Sequence, residues 1–110
     1  MKKVDLFREI TATYGKHGWR LMSVLLKPQT RAELEEFDLL QSVASKDSVF
    51  DALWFSRPSH DNREAWELRL FAENQYALFE TFEADEPEDA REEVRVEMEA
   101  RLKEKVFGGN

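Results

Sequence analysis

Residues 66–83 constrain the fold more than any other part of the chain. Aromatic and branched residues recur with a period near two on both sides of Glu73-Asn74, which is the pattern of two half-buried β-strands. Asparagine tolerates the positive φ of a tight turn, so the segment is predicted to be a β-hairpin with a two-residue turn. That turn sets a cross-strand register in which Leu68 faces Phe79.

In this register one hairpin face carries no charge, and the other mixes apolar with charged side chains. A three-residue turn would slip the register and exchange the partners. Arg69 is expected to lie diagonal to Glu80, close enough for a cross-strand ion pair. Two interpretations of the mixed face remain open: a helix of the same domain covers it, or it is an interface for a sister subunit or another protein. The candidate interface residues are Arg69, Phe71, Tyr76, Leu78 and Phe82.

A chain of 110 residues is expected to form one α+β domain over residues 1–110, and its 42% apolar content is ample for a core. The absence of cysteine excludes a disulfide framework, a thiolate nucleophile and a cysteine-type zinc site. The N-terminus lacks the apolar core of a signal peptide. No uncharged run approaches the ~20 residues of a membrane helix. We therefore expect a cytoplasmic protein that does not contact a membrane.

The formal net charge of −7 is distributed unevenly along the chain. Residues 1–60 carry nine Lys/Arg against eight Asp/Glu, whereas residues 61–110 carry seven against fifteen. Such an acidic chain repels phosphate backbones at long range, which argues against nucleic-acid binding. The basic residues near the N-terminus are expected to complement the acidic half of the same chain or of a sister subunit.

The first half of the chain predicts a helix, a strand and a second helix. Apolar residues at helical spacing from Val4 to Tyr14 indicate a helix that ends at Gly15. A nearly continuous apolar run within residues 19–27 indicates a strand that is buried on both faces. Thr30 and Glu33 have the spacing of a capping box, which predicts a helix that begins at Arg31.

Residues 41–48 are rich in serine and are predicted to be a loop. Residues 49–57 are ambiguous between a strand and a short helix, and a strand is preferred because turn residues follow. Asp85 and Glu88 predict the start of a last helix, which Gly108-Gly109 is expected to stop. The apolar stripe of that helix is thin enough that a sister chain could be what it packs against.

The predicted order is α-β-α-β-β-β-α, a mainly antiparallel four-stranded sheet with helices packed on it. The helix between the first two strands permits a parallel crossover.

No set of residues in the sequence indicates catalysis, a metal or a cofactor. Ser59-His60-Asp61 contains the residue types of a hydrolytic triad, but three adjacent residues cannot converge and a turn is expected. Three nearby residues are of types that bind metals, but their spacing does not suit a metal site: His60, Asp61 and Glu64. The acidic residues between 83 and 89 lack the calcium-loop pattern. We therefore expect no catalytic residue, no metal and no cofactor.

These observations favour a non-enzymatic protein-interaction domain, homodimeric, whose acidic surface steers a basic partner. In size and acidity the chain resembles secretion chaperones and toxin-neutralising immunity proteins; the resemblance is one of composition and transfers no residue. The alternative is a small-molecule-binding domain or enzyme with a pocket between sheet and helices. Trp54, Trp66 and Phe79 are the aromatic residues expected to line that pocket.

Overall fold

The computed structural model describes residues 2–108, which form three α-helices and five β-strands. The chain is α+β, as predicted. No α-helix in this part of the chain is both long and apolar enough to cross a membrane. In chain order the elements are α1 (Lys3–Lys16), β1 (Arg20–Leu26), α2 (Pro28–Glu35), β2 (Ala44–Asp47), β3 (Ala52–Pro58), β4 (Glu64–Leu70), β5 (Ala77–Phe82) and α3 (Glu88–Phe107), with a 3-10 turn at His60–Asn62.

The sheet has five strands in the order β2-β1-β3-β4-β5, so the predicted four-stranded antiparallel sheet is wrong in two respects. β2 lies within the serine-rich segment that was predicted to be a loop, and it pairs in parallel with β1. The other three pairings are antiparallel. The helix after β1 does form a parallel connection, but it leads to β2 rather than to the next predicted strand.

The predicted hairpin register is wrong by one residue. Leu68 pairs with Leu78, and Phe79 pairs with Glu67. The connection is wider than two residues because the Arg69 guanidinium donates to three turn carbonyls and holds the chain open. These acceptors are the carbonyls of Leu70, of Ala72 at 3.3 Å and of Asn74 at 3.3 Å. The slip exchanges the two faces of β5.

The helix boundaries follow different signals from those predicted. α2 begins at Pro28, a residue favoured in a first turn, and the Thr30 hydroxyl donates to Asp51 instead of capping the helix. α3 begins at Glu88, with Pro87 rather than Asp85 as its N-cap residue.

The two remaining helix ends also differ from the predictions. α1 continues through Gly15 to Lys16, and Gly18 supplies the positive φ of the following turn, 83°. α3 ends at Phe107; the second glycine of the predicted stop lies outside the described residues.

Each face of the sheet carries its own core. α1 and α2 pack against each other and against β1 on one face, while α3 packs against β4 and β5 on the other. The α1 face buries Val4, Leu6, Phe7, Ile10, Val24, Leu26, Leu34, Leu53, Phe55 and Phe71. The α3 face buries Leu25, Phe50, Ala52, Trp54, Leu68, Met98 and Leu102.

Candidate functional site

The five predicted interface residues do not share one surface. Arg69 and Phe71 belong to the α1 side, whereas Tyr76, Leu78 and Phe82 lie on the α3 side with Trp66. Arg69, Phe71 and Phe82 are buried by the chain itself. The prediction that these residues form a common face is therefore wrong. The predicted ion pair between Arg69 and Glu80 is also wrong, because the two residues lie on opposite faces of the sheet. A binding role for any single one of them stays a prediction.

Phe71 and Tyr76 nevertheless meet at a cavity of about 430 Å³, which we call the end cavity. It lies at the end of the sheet where β1 stops and β3 starts. The first turn of α1, the start of β3, the β4–β5 turn and the last turn of α3 all contribute to its wall. The lining residues are Lys3, Lys27, Val49, Phe50, Asp51, Leu70, Phe71, Ala72, Asn74, Tyr76, Lys105, Val106 and Phe107.

Apolar side chains that other elements leave uncovered converge in the end cavity. Val49 is 58% exposed, Val106 38% and Phe107 57%, although all three are large hydrophobic residues. Phe50 and Phe71 lie buried beneath them. A contiguous apolar surface with a polar rim is the usual mark of a binding site.

Three lysines form the rim of the end cavity. The Lys3 ammonium donates to the Phe71 carbonyl at 2.7 Å and lies 4.4 Å from the centre of the Phe71 ring. The Lys105 ammonium lies 5.1 Å from the centre of the Tyr76 ring, and the Lys27 side chain is half exposed. Among the described residues, Asp51 is the one carboxylate in the wall. The cavity is thus locally positive on a chain whose net charge is −7.

Asp51 is occupied by groups of the fold and holds the rim in place. Its Oδ1 accepts the backbone N–H of Lys27 at 2.9 Å, and its Oδ2 accepts the Thr30 hydroxyl at 2.8 Å. The Lys3 ammonium is 3.4 Å from Oδ2, and the Lys27 ammonium is 4.0 Å away. A carboxylate at the start of α2 also suits the dipole of that helix. Asp51 therefore positions Lys3 and Lys27, whose ammonium groups have three donors each and retain capacity for a further acceptor.

A second cavity of about 340 Å³, the tryptophan cleft, lies between α3 and the strands β1 and β2. Trp54 and Trp66 both line it, with their ring centres 5.9 Å apart, as the pocket hypothesis expected. The third residue of that hypothesis, Phe79, lies on the opposite face, where its ring contacts Trp19. The sequence therefore indicated two of the three aromatic residues, and the register slip accounts for the third.

The rim charges of the tryptophan cleft are paired with one another. The Trp54 indole donates to Glu99 Oε2 at 2.9 Å, and the Lys46 ammonium lies 3.5 Å from Glu99 Oε1. The Arg95 guanidinium stacks 4.7 Å from the centre of the Trp66 ring and is 3.0 Å from Glu92 Oε1. Glu88 is a further partner of Arg95. These pairs leave the cleft without a single dominant charge.

The pKa of Tyr14 is clearly displaced from its usual value. Burial between α1 and β4 raises its pKa well above the usual value, and the hydrogen bond that its hydroxyl donates to Glu67 raises it further. The nearby Arg69 opposes this shift only in part. Tyr14 therefore stays protonated at neutral pH, where it serves as a hydrogen-bond donor in the fold and not as a base.

The segment Ser59-His60-Asp61 forms a turn, as expected, with Asp61 in the left-handed region at φ 57°. Within residues 2–108, no three His, Asp or Glu side chains are placed to hold a metal ion.

Sequence reasoning did not bring together the six residues that give the end cavity its character: Lys3, Lys27, Val49, Lys105, Val106 and Phe107. Two weak signals were present. Val106 and Phe107 are adjacent apolar residues at the end of a highly charged helix, and Lys27 precedes Pro28 at a helix start. Neither signal says that the two helix ends meet, because that contact joins parts of the chain that are about eighty residues apart.

Comparisons with protein-family models, with curated proteins and with solved structures found no match to this chain. Function is therefore inferred from the end cavity and the tryptophan cleft alone.

Proposed function

We propose that this chain is a non-enzymatic protein-interaction domain whose end cavity binds an apolar, acidic segment of a partner protein. The observation that carries the proposal is the coincidence of three uncovered apolar side chains with three rim lysines. We place the protein in the cytoplasm, since a chain without cysteine suits a reducing compartment.

The apolar part of the end cavity supplies the affinity in this proposal. Burying a side chain the size of valine or phenylalanine contributes about 1.5–3 kcal/mol relative to leaving it exposed. Val49, Val106 and Phe107 are each still exposed by more than a third, so a partner side chain gains contact with all three. A volume of about 430 Å³ accommodates a few apolar side chains of a peptide.

The lysines supply the selectivity. The Lys3 and Lys27 ammonium groups lie together at Asp51 Oδ2, at 3.4 and 4.0 Å, whereas the Lys105 ammonium lies over the Tyr76 ring, so the rim presents positive charge at two separate places. A chain segment with several carboxylates matches such a rim better than a small ligand with one. The rim charge is opposite to that of the whole molecule, so a basic segment would be repelled here. The expected basic partner of the acidic surface stays a separate prediction.

Fluorescence anisotropy with two labelled synthetic peptides tests the proposal. In the first peptide glutamate alternates with leucine and phenylalanine, and in the second lysine replaces each glutamate. We expect the acidic peptide alone to bind. K27E/K105E should weaken binding about tenfold or more, a loss of about 1.4 kcal/mol, because two attractive charges become repulsive. V49S/F107S should also weaken binding of the acidic peptide, although this variant leaves the charge of the protein unchanged.

The matched control is K16E/K46E, which makes the same change of charge at two exposed lysines outside the end cavity. Lys16 lies at the far end of α1, about 20 Å from Lys3 at 1.5 Å per residue. If this control weakens binding as much as K27E/K105E does, the attraction is a general effect of charge and the end cavity is not the site. Equal binding of the two peptides would also defeat the proposal.

The tryptophan cleft supports the second candidate function, a small-molecule-binding domain. Its floor holds two tryptophans, and its volume of about 340 Å³ lies within the usual range for small ligands. A fragment screen followed through the indole N–H resonances of Trp54 and Trp66 would test it. A screen in which no fragment shifts either resonance removes this candidate.

A further inference from the structure

The backbone groups of β5 divide between its partner strand and the free edge of the sheet. The N–H of Leu70 donates to the Tyr76 carbonyl at 2.8 Å, and the N–H of Phe71 donates to Asp51 on the other side at 3.0 Å. Antiparallel pairing alternates along a strand. The even-numbered residues of β5 therefore bond to β4, while Ala77, Phe79 and Thr81 direct their backbone groups to the free edge.

The two edges of the sheet differ in how well they are protected. β2 has four residues, Ala-Ser-Lys-Asp, all exposed, and Lys46 is the kind of charged residue that discourages edge pairing. β5 has six residues, Ala-Leu-Phe-Glu-Thr-Phe, with no proline or lysine, and its pairing with β4 is regular. Glu80 is its one charged residue. β5 is thus the less protected edge of the sheet.

An exposed aromatic residue stands at the centre of this unprotected edge. Phe79 is 59% exposed, more than any other large hydrophobic residue in the described part of the chain. Its ring makes an edge-to-face contact with Trp19, with 6.4 Å between ring centres, and the Arg57 guanidinium lies 4.4 Å from the centre of the Trp19 ring. The patch is apolar on an otherwise strongly charged molecule.

We propose that β5 pairs with β5 of a second copy of this chain, antiparallel and about a two-fold axis at Phe79. In a two-fold pair the edge-directed residues must face one another symmetrically. Phe79 then faces Phe79 of the second copy, and Ala77 faces Thr81. The Phe79 pair exchanges two backbone hydrogen bonds, with the Cα atoms about 5.5 Å apart. The result is a continuous ten-stranded sheet. This inference is independent of the proposed function of the end cavity.

The charge pattern of β5 suits a second copy as the occupant. In this register Glu80 faces Leu78 of the second copy, so the one charge on the strand never meets its own image. The Glu80 carboxylate accepts the backbone N–H of Thr81 at 3.0 Å, which occupies one edge-directed donor. The Glu80 carboxylate must release the Thr81 N–H when the strands pair, so Glu80 is the one charged residue of β5 that opposes pairing. Its removal should strengthen association.

Light scattering on a sizing column tests the proposal with the full chain. The wild type should give twice the 13.0 kDa of one chain, more completely at high salt, because two chains of −7 repel each other. F79E and F79K should each halve the mass, since like charges meet on the axis. An equimolar mixture of the two variants should restore a one-to-one dimer. E80A should hold the dimer at lower protein concentration.

V96E is the control, because Val96 is 51% exposed and belongs to α3, not to the sheet. V96E should keep the mass of the wild type, and circular dichroism should show that every variant is folded. A wild type that stays at 13.0 kDa at all concentrations and salt levels overturns the proposal. So does a dimer that survives F79E, or a mixture of F79E and F79K that stays monomeric. Peptide binding at the end cavity is unaffected by either result, so the two proposals fail separately.

Discussion

The two faces of the sheet are closed to different degrees. On the α1 face two helices pack over the strands, and the polar groups beneath them bond to one another, as Tyr14 does with Glu67. On the α3 face a single helix packs over β4 and β5, and the side of β1 and β2 is left as the tryptophan cleft, rimmed by Lys46 and Glu99.

This difference suggests a division of labour between the faces. Apart from the exposed Phe37 and Phe79, the large apolar side chains of the α1 face are at least partly covered, so most of its residues serve stability. The α3 face keeps aromatic surface within reach of solvent, and its helix ends in the exposed pair Val106 and Phe107. A helix that is held on one side only can also shift more easily when something binds beside it. The cavities proposed for binding both touch α3.

A matched pair of leucines measures the difference between the faces, with the largest expected effect. Leu26 on the α1 face and Leu102 on the α3 face are both fully buried. Leu→Ala substitutions in protein cores cost about 2.7–5.0 kcal/mol, depending on how far the site collapses. We expect L26A to cost about 4 kcal/mol and L102A about 2–3 kcal/mol in urea unfolding, because α3 can move into the space it leaves.

Equal losses for the two leucines would mean that α3 is anchored as firmly as α1, and the division of labour would be wrong. A larger loss for L102A would reverse the comparison. Urea m-values should be unchanged in both variants, which shows that each comparison concerns the same folded state.

Asp51 tests the buried polar groups at the edge of the α1 face. D51A should cost about 2 kcal/mol, because the N–H of Lys27 and the hydroxyl of Thr30 lose their acceptor within the fold. D51N should recover part of the loss, since its amide oxygen still accepts one of these bonds. The control is D47A, where the exposed Asp47 carboxylate pairs with the partly buried Arg31 and a change below about 0.5 kcal/mol is expected. A D51A loss as small as that of D47A would contradict the assignment.

Tyr14 gives the smallest expected effect and carries a pH signature. Y14F should cost about 1 kcal/mol at neutral pH, because Glu67 loses the donated hydrogen bond. The pKa of Tyr14 is raised above its usual value of 10.0, so the folded state keeps a proton that the unfolded state releases. The stability of the wild type must then fall as pH rises above 10.0.

Y14F lacks this proton, so its disadvantage should shrink in the alkaline range. Urea midpoints of both proteins at neutral pH and near pH 11 measure the difference, and other titrating groups cancel because both proteins share them. A gap that stays constant or widens at high pH would show that burial does not hold the phenol in its neutral form.

The parts of the fold that sequence could predict are those with strong local signals. The stripe from Val4 to Tyr14 and the apolar run within residues 19–27 both lie in the predicted type of element. β2 was not predicted because a short, fully exposed edge strand has no buried side chain and therefore no alternation of apolar and polar residues.

The hairpin register escaped for a different reason. The hydrogen bonds from Arg69 to the turn carbonyls favour the observed register. Arginine is not a typical turn residue, so its presence in the sequence does not predict these bonds. The one-residue error then moved Phe79 to the wrong face and divided the predicted interface. Local hydrogen bonds from the Arg69 side chain into the turn thus outweighed the preference of Asn74 for a two-residue turn.

The end cavity couples the stabilities of the two ends of the chain. Lys3 belongs to the first turn of α1 and Phe107 to the last residue of α3, yet both line the same wall. Fraying of either helix end dismantles the cavity, so an occupant must hold both ends closed at once. Binding would therefore slow amide hydrogen exchange at both helix ends, which are about a hundred positions apart in the sequence. An occupied cavity would therefore hold the start of α1 and the end of α3 together, and exchange at both helices would slow together.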